Sequence, residues 1–163
     1  MICAAFVAHA ILPNKRLFDL TIRVAELNDA AALAQLMREL GYETTKSDMQ
    51  IRLEGIAADE RYRTFVAVHD GKVCGMIGTL TCPSYEHNDS GGRILALAIL
   101  STIRRRGIGR RLIATAENDF AQRGIRRVAL NTQLAREDAH KFYESLGYER
   151  NGWRFVKQLS VRD

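Results

Sequence analysis

The chain has 163 residues, 47% of them hydrophobic and 26% charged, which predicts one soluble globular domain with a core of its own. Its net charge is +5, and much of the excess lies in two clusters, residues 104–111 and 123–127. Such patches attract anions, but the chain has no nucleic-acid motif and no aromatic residues interleaved with the arginines, so we expect no nucleic-acid partner. A phosphate-bearing small molecule is the simpler ligand.

The cysteines and the N-terminal segment indicate the cellular compartment in which the protein is expected. Three cysteines form no CxxC pair and no cluster with histidine, which is typical of reduced thiols in a cytoplasmic protein and argues against a zinc site built from cysteines. We expect no metal ligands among the site residues. Residues 1–12 are apolar, but they are too short to span a bilayer and lack the preceding basic residues of a signal peptide. We therefore expect a cytoplasmic protein without membrane contact, with an N-terminal extension over residues 1–20 and a single domain over residues 21–163.

Hydrophobic periodicity predicts a strand, two helices and a β-hairpin in the first half of the chain. Asp70-Gly71 is a two-residue hairpin signal, and Gly75 and Gly78 predict a bulge or a close approach in the strand that follows. The predicted elements are a strand over 21–27, a helix over 30–40 capped by Asn28 or Asp29 and ended by Gly41, a helix over about 47–57 capped by Ser47 or Asp48, and strands over 64–68 and 72–81.

The second half alternates strands and helices. Its predicted elements are a buried strand over 93–100, a helix over 110–123, a strand over 127–132, a helix over 136–146 and a final alternating strand over 153–159. The order β-α-α-β-β-β-α-β-α-β predicts an α/β fold with a mixed, mostly antiparallel central sheet and helices on both faces.

A basic, glycine-containing turn connects the buried strand to the helix that follows it. It reads Arg104-Arg105-Arg106-Gly107-Ile108-Gly109. The first turn of a helix has backbone N–H groups without partners and the positive end of the helix dipole, while glycines let the backbone approach a ligand closely. Strand, basic turn and helix in this order predict a pyrophosphate site.

The R-x-x-G-x-G pattern of this turn resembles the acetyl-coenzyme A motif of the GNAT superfamily of N-acetyltransferases. A second segment, residues 139–148 (AHKFYESLGY), resembles the GNAT pattern A-x-x-(Phe/Leu)-Tyr-x-x-x-Gly-(Phe/Tyr). The predicted element order resembles the GNAT fold as well, so that the likeness covers nearly the whole chain after the first twenty residues. The resemblance implies acetyl-CoA as a co-substrate and an amine as the acceptor.

Residue roles follow from this resemblance. Tyr143 would be the general acid that protonates the leaving thiolate, the alternative being a core aromatic residue of an amphipathic helix. Backbone groups of the preceding strand would pair with pantetheine and hold the thioester oxygen, and the turn would hold the pyrophosphate. The implied cofactor residues are Leu97, Ala98, Ile99, Arg104, Arg105, Arg106, Gly107, Ile108, Gly109 and Arg110, with Arg110 or Lys141 near the 3′-phosphate.

The sequence departs from the GNAT pattern in two places. Arg136 stands where the family often has asparagine, and this R-x-x-A-H-x-F-Y form resembles a subset that includes aminoalkylphosphonate acetyltransferases, as does Arg154-Phe155-x-Lys157. The buried strand also lacks the glutamate that many members use as a base. Glu86, His87 or Asp89 of the preceding loop, or a water chain, could take that role, and Glu43 could line the acceptor side.

We therefore expect an acyltransferase that moves an acetyl group directly from acetyl-CoA to a primary amine of a small molecule or protein. The alternative is a non-catalytic acyl-CoA-binding or regulatory module. The regions without a clear pattern, residues 41–59 and 82–92, would select the acceptor, and the apolar N-terminus could pack against a second subunit in a homodimer.

Overall fold

A computed structural model describes residues 19–159, so the expected N-terminal extension lies almost wholly outside the described residues. The strands and helices follow one another in the predicted order as far as the last helix, and two short 3-10 turns precede the first and third helices. The elements are β1 (Thr21–Val24), α1 (Ala30–Glu39), α2 (Lys46–Ala57), β2 (Tyr62–His69), β3 (Lys72–Cys82), β4 (Gly91–Ile99), α3 (Ile108–Gln122), β5 (Val128–Leu130) and α4 (Glu137–Glu144).

The strands form one sheet in the order β1-β2-β3-β4-β5. The first three pairings are antiparallel and the β4–β5 pairing is parallel. Alternate residues of β2 point to opposite faces: Phe65 and Ala67 pack in one core with α3, while Val66 packs in a second core with α1 and α2. The predicted mixed, mostly antiparallel sheet with helices on both faces is confirmed.

The first helix has its N-cap at the predicted Asp29, whereas the second has a different cap from the one predicted. Asp29 stands at the start of α1 without capping it through its side chain, since its carboxylate accepts two hydrogen bonds from Arg23 and one from the Glu26 N–H. At α2 the cap is Thr45, whose hydroxyl accepts from the Asp48 N–H, while the Asp48 carboxylate accepts from the Thr45 N–H. This reciprocal pair is a capping box, and it places the helix start one residue before the predicted Ser47.

The predicted hairpin is confirmed. Asp70 and Gly71 both have positive φ (49° and 72°) between the paired residues His69 and Lys72, as a type I′ turn requires. Gly75 is a point of close approach, because a Cβ there would lie 3.2 Å from the Ala98 carbonyl oxygen and from the Leu112 side chain. Gly78 adjoins the register shift between β3 and β4.

The prediction of a final strand over residues 153–159 is wrong. The segment has no strand in the structure, and its large apolar residues are mostly exposed, Phe155 by 92% and Leu159 by 76%. Its alternation of apolar and polar residues satisfies the strand pattern, but a strand also needs a hydrogen-bonded neighbour and an apolar surface beneath it. The described part of the chain gives this segment neither. None of the described helices is long and apolar enough to cross a membrane.

Candidate active site

A β-bulge at Leu95 opens the sheet between β4 and β5. Thr79 and Gly78 are consecutive in β3, yet they pair with Ile94 and Ala96, so Leu95 is an extra residue in β4. The parallel pairing with β5 ends at this point, with Ile94 opposite Leu130. A bulge bends its strand and increases the local twist. We therefore attribute the divergence of β4 from β5 beyond Ile94 to the bulge.

Beyond the bulge, β4 presents backbone groups to the open side of the sheet. The Leu100 N–H donates to the Cys74 carbonyl of β3, so by the alternation of an antiparallel ladder the Ala98 N–H and C=O also face β3. Those of Leu97 and Ile99 face the opposite way, and the Ile99 carbonyl accepts from Arg104 Nε at 3.0 Å. Of the three residues expected to offer their backbone, Leu97 and Ile99 do so, while Ala98 is turned toward β3.

The glycine turn ends in an uncapped helix N-terminus. Gly107 is the N-cap of α3 with a left-handed φ of 79°, and no side chain caps the helix. The first intrahelical bond runs from the Arg111 N–H to the Gly107 carbonyl, so the N–H groups of Ile108, Gly109 and Arg110 precede it. All three residues line a cleft of about 1100 Å³. Unpaired N–H groups at the positive end of a helix dipole are suited to binding an anion.

Gly109 also has a role in packing. Its φ is not left-handed, and a Cβ at this position would lie 3.3 Å from both Ile99 Cδ1 and Phe142 Cζ. The missing side chain therefore lets α3 pack closely against the end of β4 and the aromatic side of α4. Through this contact the turn and the Phe142-Tyr143 pair are held at a fixed distance.

The three arginines of the turn differ in their ion-pair partners. Arg104 forms an ion pair with Glu39 of α1, whose other carboxylate oxygen accepts from the Ser101 N–H and hydroxyl. The hydrogen bond from the Ser101 backbone, helped by Arg104, lowers the pKa of Glu39 below its ordinary value. Arg105 pairs with Asp138 at 3.0 Å, and Arg106 does not line the cleft. The charges of Arg104 and Arg105 are thus shared with carboxylates.

Tyr143 lies half-buried in the wall of the same cleft. Its ring is in edge contact with Phe142 and Tyr148, at centroid distances of 5.2 and 5.8 Å, and the Tyr148 hydroxyl donates to Glu117 of α3 at 2.8 Å. Among residues 19–159, no hydrogen-bond partner is found for the Tyr143 hydroxyl. Burial raises the pKa of Tyr143, and the positive charge of Arg136 acts in the opposite direction. The phenol therefore stays protonated at neutral pH and free to donate.

The cleft wall excludes the predicted base candidates and includes residues that were not predicted. Glu86, His87 and Asp89 do not line it, and Asp89 instead pairs with Arg127, whose hydrogen bond lowers the pKa of that carboxyl. Glu43 does not line the cleft either, whereas its neighbour Tyr42 does. The other lining residues without a predicted role include Glu39, Asn131, Thr132, Gln133, Glu137 and Asp138, and no local pattern distinguishes them in the sequence.

Comparison with known proteins agrees with this architecture. Residues 30–148 match the Acetyltransferase (GNAT) family. The chain is 33% identical over 141 residues to an aminoalkylphosphonate N-acetyltransferase of Salmonella typhimurium, covering 85% of this chain and 90% of that protein. The crystal structure of a GNAT family acetyltransferase of Staphylococcus aureus is 29% identical and superposes with a TM-score of 0.74, covering 86% of this chain and 99% of the other.

A second similar structure, an aminoglycoside N-acetyltransferase in complex with CoA, has a TM-score of 0.78 at 18% identity, and the match covers 93% of this chain and 100% of the other. At this identity it supports the fold alone. The family match and the 33% identical relative show that the chain belongs to the GNAT acetyltransferase family. It is an acyltransferase of the N-acetyltransferase type, with acetyl-CoA as its co-substrate.

Proposed function

We propose that the protein transfers the acetyl group of acetyl-CoA directly to the primary amine of a small molecule that also carries an anionic group. The observation that carries this proposal is the cleft itself. Its wall combines the outward backbone of Leu97 and Ile99, the free N-terminus of α3 and the hydroxyl-bearing Tyr143. These are the three parts that thioester aminolysis needs: an oxyanion donor, an anchor for the pyrophosphate and an acid.

In the proposed reaction the amine nitrogen attacks the thioester carbon, and the carbonyl oxygen becomes an oxyanion. The N–H of Leu97 or Ile99 would stabilise that oxyanion, since both point into the opening beyond the bulge. Collapse of the intermediate breaks the C–S bond, and Tyr143 gives its proton to the leaving thiolate. The acceptor ammonium loses one proton to a base or to water before the attack, and the attacking nitrogen loses a second to give the acetamide, while solvent returns a proton to Tyr143.

The α3 N-terminus is the proposed pyrophosphate site. The N–H groups of Ile108, Gly109 and Arg110 would bind the phosphate oxygens. The Arg110 side chain lines the cleft without a carboxylate partner among the described residues, and its hydrogen bond to Ser145 is a long 3.4 Å, so it is available to the phosphates as well. Arg104 and Arg105 would contribute mainly by holding the turn, because each is already paired with a carboxylate.

The anionic acceptor group is proposed from the charge of the cleft. Arg136 and Arg154 line it, and no hydrogen bond or ion pair of either side chain is found within the described part of the chain. Two unpaired guanidinium groups suit a phosphonate or carboxylate. The 33% identical relative that acetylates aminoalkylphosphonates supports this choice.

A non-catalytic acyl-CoA-binding module is the second candidate. It is favoured by one observation, that none of the expected bases Glu86, His87 and Asp89 reaches the cleft. Turnover with any amine would exclude it.

The test begins with calorimetric titration of acetyl-CoA, with ATP as the comparison ligand. Thiol release is then measured with 2-aminoethylphosphonate, with ethanolamine as the matched neutral amine, and with a peptide bearing a free N-terminus. We expect acetyl-CoA binding in the micromolar range and turnover with the phosphonate well above that with ethanolamine. Preference for the peptide would overturn the acceptor assignment, and binding without turnover on any amine would favour the second candidate.

Tyr143→Phe tests the acid. Because the ring and its packing are kept, CoA affinity should stay the same while kcat falls by about tenfold to a hundredfold. Unchanged turnover would remove the role.

A further inference from the structure

Arg136 occupies the N-cap of α4, seven residues before Tyr143. Seven residues make almost two full helical turns, so both residues lie on one face of the helix, about 10 Å apart along its axis. Long side chains on a helix lean toward its N-terminus, which directs the Tyr143 phenol back toward Arg136. Both residues line the cleft, and α4 carries them as one rigid unit.

We propose that Arg136 tunes the acid of the reaction: its guanidinium stabilises the tyrosinate that Tyr143 becomes when its proton passes to the CoA thiolate. This proposal rests on the proposed role of Tyr143. Arg136 touches neither reacting bond, and it acts on the acid through Tyr143, separately from its proposed contact with the anionic group of the acceptor. A permanent positive charge near a developing phenolate lowers the free energy of the charged product and therefore makes the phenol a better donor.

Other charged groups surround Tyr143, but their arrangement leaves Arg136 as the tuning charge. The charge that shifts the pKa of Tyr143 is that of Arg136, and it opposes the larger effect of burial. From α3, Glu117 faces this region but accepts the hydrogen bond of Tyr148. The remaining charged residues of the cleft wall are Glu39 paired with Arg104, Asp138 paired with Arg105, and Arg110, Glu137, Lys141 and Arg154.

The identity of the residue matters for this role. Arginine stays charged over the whole pH range in which a phenol titrates, because its own pKa is higher than that of tyrosine. An asparagine in this place would supply a dipole but no charge. Arg136 also has no carboxylate partner among residues 19–159, so its charge is not neutralised by a neighbour.

The first experiment is an NMR titration of the full chain labelled with ¹³C at tyrosine Cζ. The chain has five tyrosines, and the resonance lost in Tyr143→Phe identifies Tyr143. Arg136→Gln should move the titration midpoint of that resonance to higher pH. Arg136→Lys keeps the charge and should stay close to wild type, and Lys141→Gln, which removes another cation from the same helix and cleft, should leave the midpoint unchanged.

The second readout is the pH dependence of kcat with acetyl-CoA and 2-aminoethylphosphonate. Without the positive charge the phenol is a weaker acid, so Arg136→Gln should lower kcat at neutral pH. Because the weaker acid stays protonated to higher pH, the alkaline limb of the profile should shift upward, while Arg136→Lys restores both. An unmoved resonance and limb, with a raised KM for the acceptor or for acetyl-CoA, would overturn the proposal and leave Arg136 with a binding role alone.

Failure of the underlying acid role has a different signature. If Tyr143→Phe keeps the wild-type kcat, Tyr143 is not the acid, and the proposed effect of Arg136 on that acid is wrong as well. If Tyr143→Phe is impaired but Arg136→Gln moves neither readout, only the inference about Arg136 is wrong.

Discussion

Gly109 of α3 and Phe142 of α4 approach so closely that a Cβ on the glycine would lie 3.3 Å from the end of the phenyl ring. Phe142 is the neighbour of Tyr143 and touches its ring edge-on. The start of the proposed phosphate-binding helix and the proposed acid are therefore coupled by direct packing.

Gly109→Ala should affect catalysis as well as stability. The methyl group must displace Phe142 or Ile99, and such overpacking costs about 1–3 kcal/mol. Because Phe142 moves with its neighbour, kcat should fall even at saturating acetyl-CoA. Chemical denaturation and steady-state kinetics measure the two effects. Gly55→Ala is the control: Gly55 lies inside α2 with open space around its Cα, and alanine there should stabilise by up to about 1 kcal/mol.

Gly107→Ala tests the glycine turn. Gly107 has a left-handed φ of 79°, which costs an L-residue about 1–2 kcal/mol. Relief of this strain would turn the N–H groups of α3 away from the cleft, so the affinity for acetyl-CoA should fall by about tenfold, equivalent to about 1.4 kcal/mol. Gly71→Ala imposes the same strain in the hairpin, at φ 72°, and should lower stability without changing affinity. Equal affinities in calorimetry would remove the turn from the cofactor site.

Asp29→Asn should reduce the change in the free energy of unfolding between neutral and strongly acidic pH. The hydrogen bonds from Arg23 and from the Glu26 N–H lower the pKa of Asp29 below its ordinary value. Its contribution to stability is therefore fully present above the pKa of the unfolded chain and is lost as pH falls through the lower, folded value. We expect the variant to lose about 2 kcal/mol at neutral pH, and the difference from wild type to shrink in strong acid. Urea unfolding at several pH values between neutral and strongly acidic measures this.

Phe155→Ser distinguishes the observed C-terminal segment from the predicted strand. Phe155 is 92% exposed, so the substitution should change stability by less than about 0.5 kcal/mol. A strand packed on the sheet would lose about 1.5–3 kcal/mol on the same change. Phe120→Ala, at a residue of α3 that is 1% exposed, serves as the reference for a core position and should cost about 3–5 kcal/mol.

Local patterns were sufficient to predict most of the fold. The Asp70-Gly71 turn, the glycine at the end of α1 and the amphipathic face of α3 each depend on residues close in sequence, and the structure confirms them. The exception is the segment from Trp153 to Leu159, whose alternating apolar and polar residues predict a strand although the described structure has no neighbouring strand for it to pair with. Alternation describes which faces a strand would have, but it cannot show that a partner strand is available.

Much of the site depends on contacts between distant parts of the chain. Arg104 meets Glu39 across 65 residues, and Arg105 meets Asp138 across 33. Neither pairing can be recognised from the local sequence, so the sequence does not indicate which of the three arginines is free to bind a ligand. The bulge at Leu95 is equally hidden, because it exists only relative to the register of β3. The motif therefore indicated where the cofactor region lies, while the availability of each group in it came from the fold.

The extra residue at Leu95 also determines what a one-residue deletion in β4 would do. Ile94, before it, packs in the core beneath α3, whereas Ala98, an even number of residues later, packs in the core beneath α1. Leu95 absorbs this change of face, because Ile94 and Ala96 already pair with consecutive residues of β3. Deleting Leu95 would therefore keep both faces and the backbone directions of Leu97 and Ile99, but it would remove the bend that we attribute to the bulge. We therefore expect that variant to stay folded but to lose the gap between β4 and β5, so the cleft depends on a half-exposed residue that neither core requires.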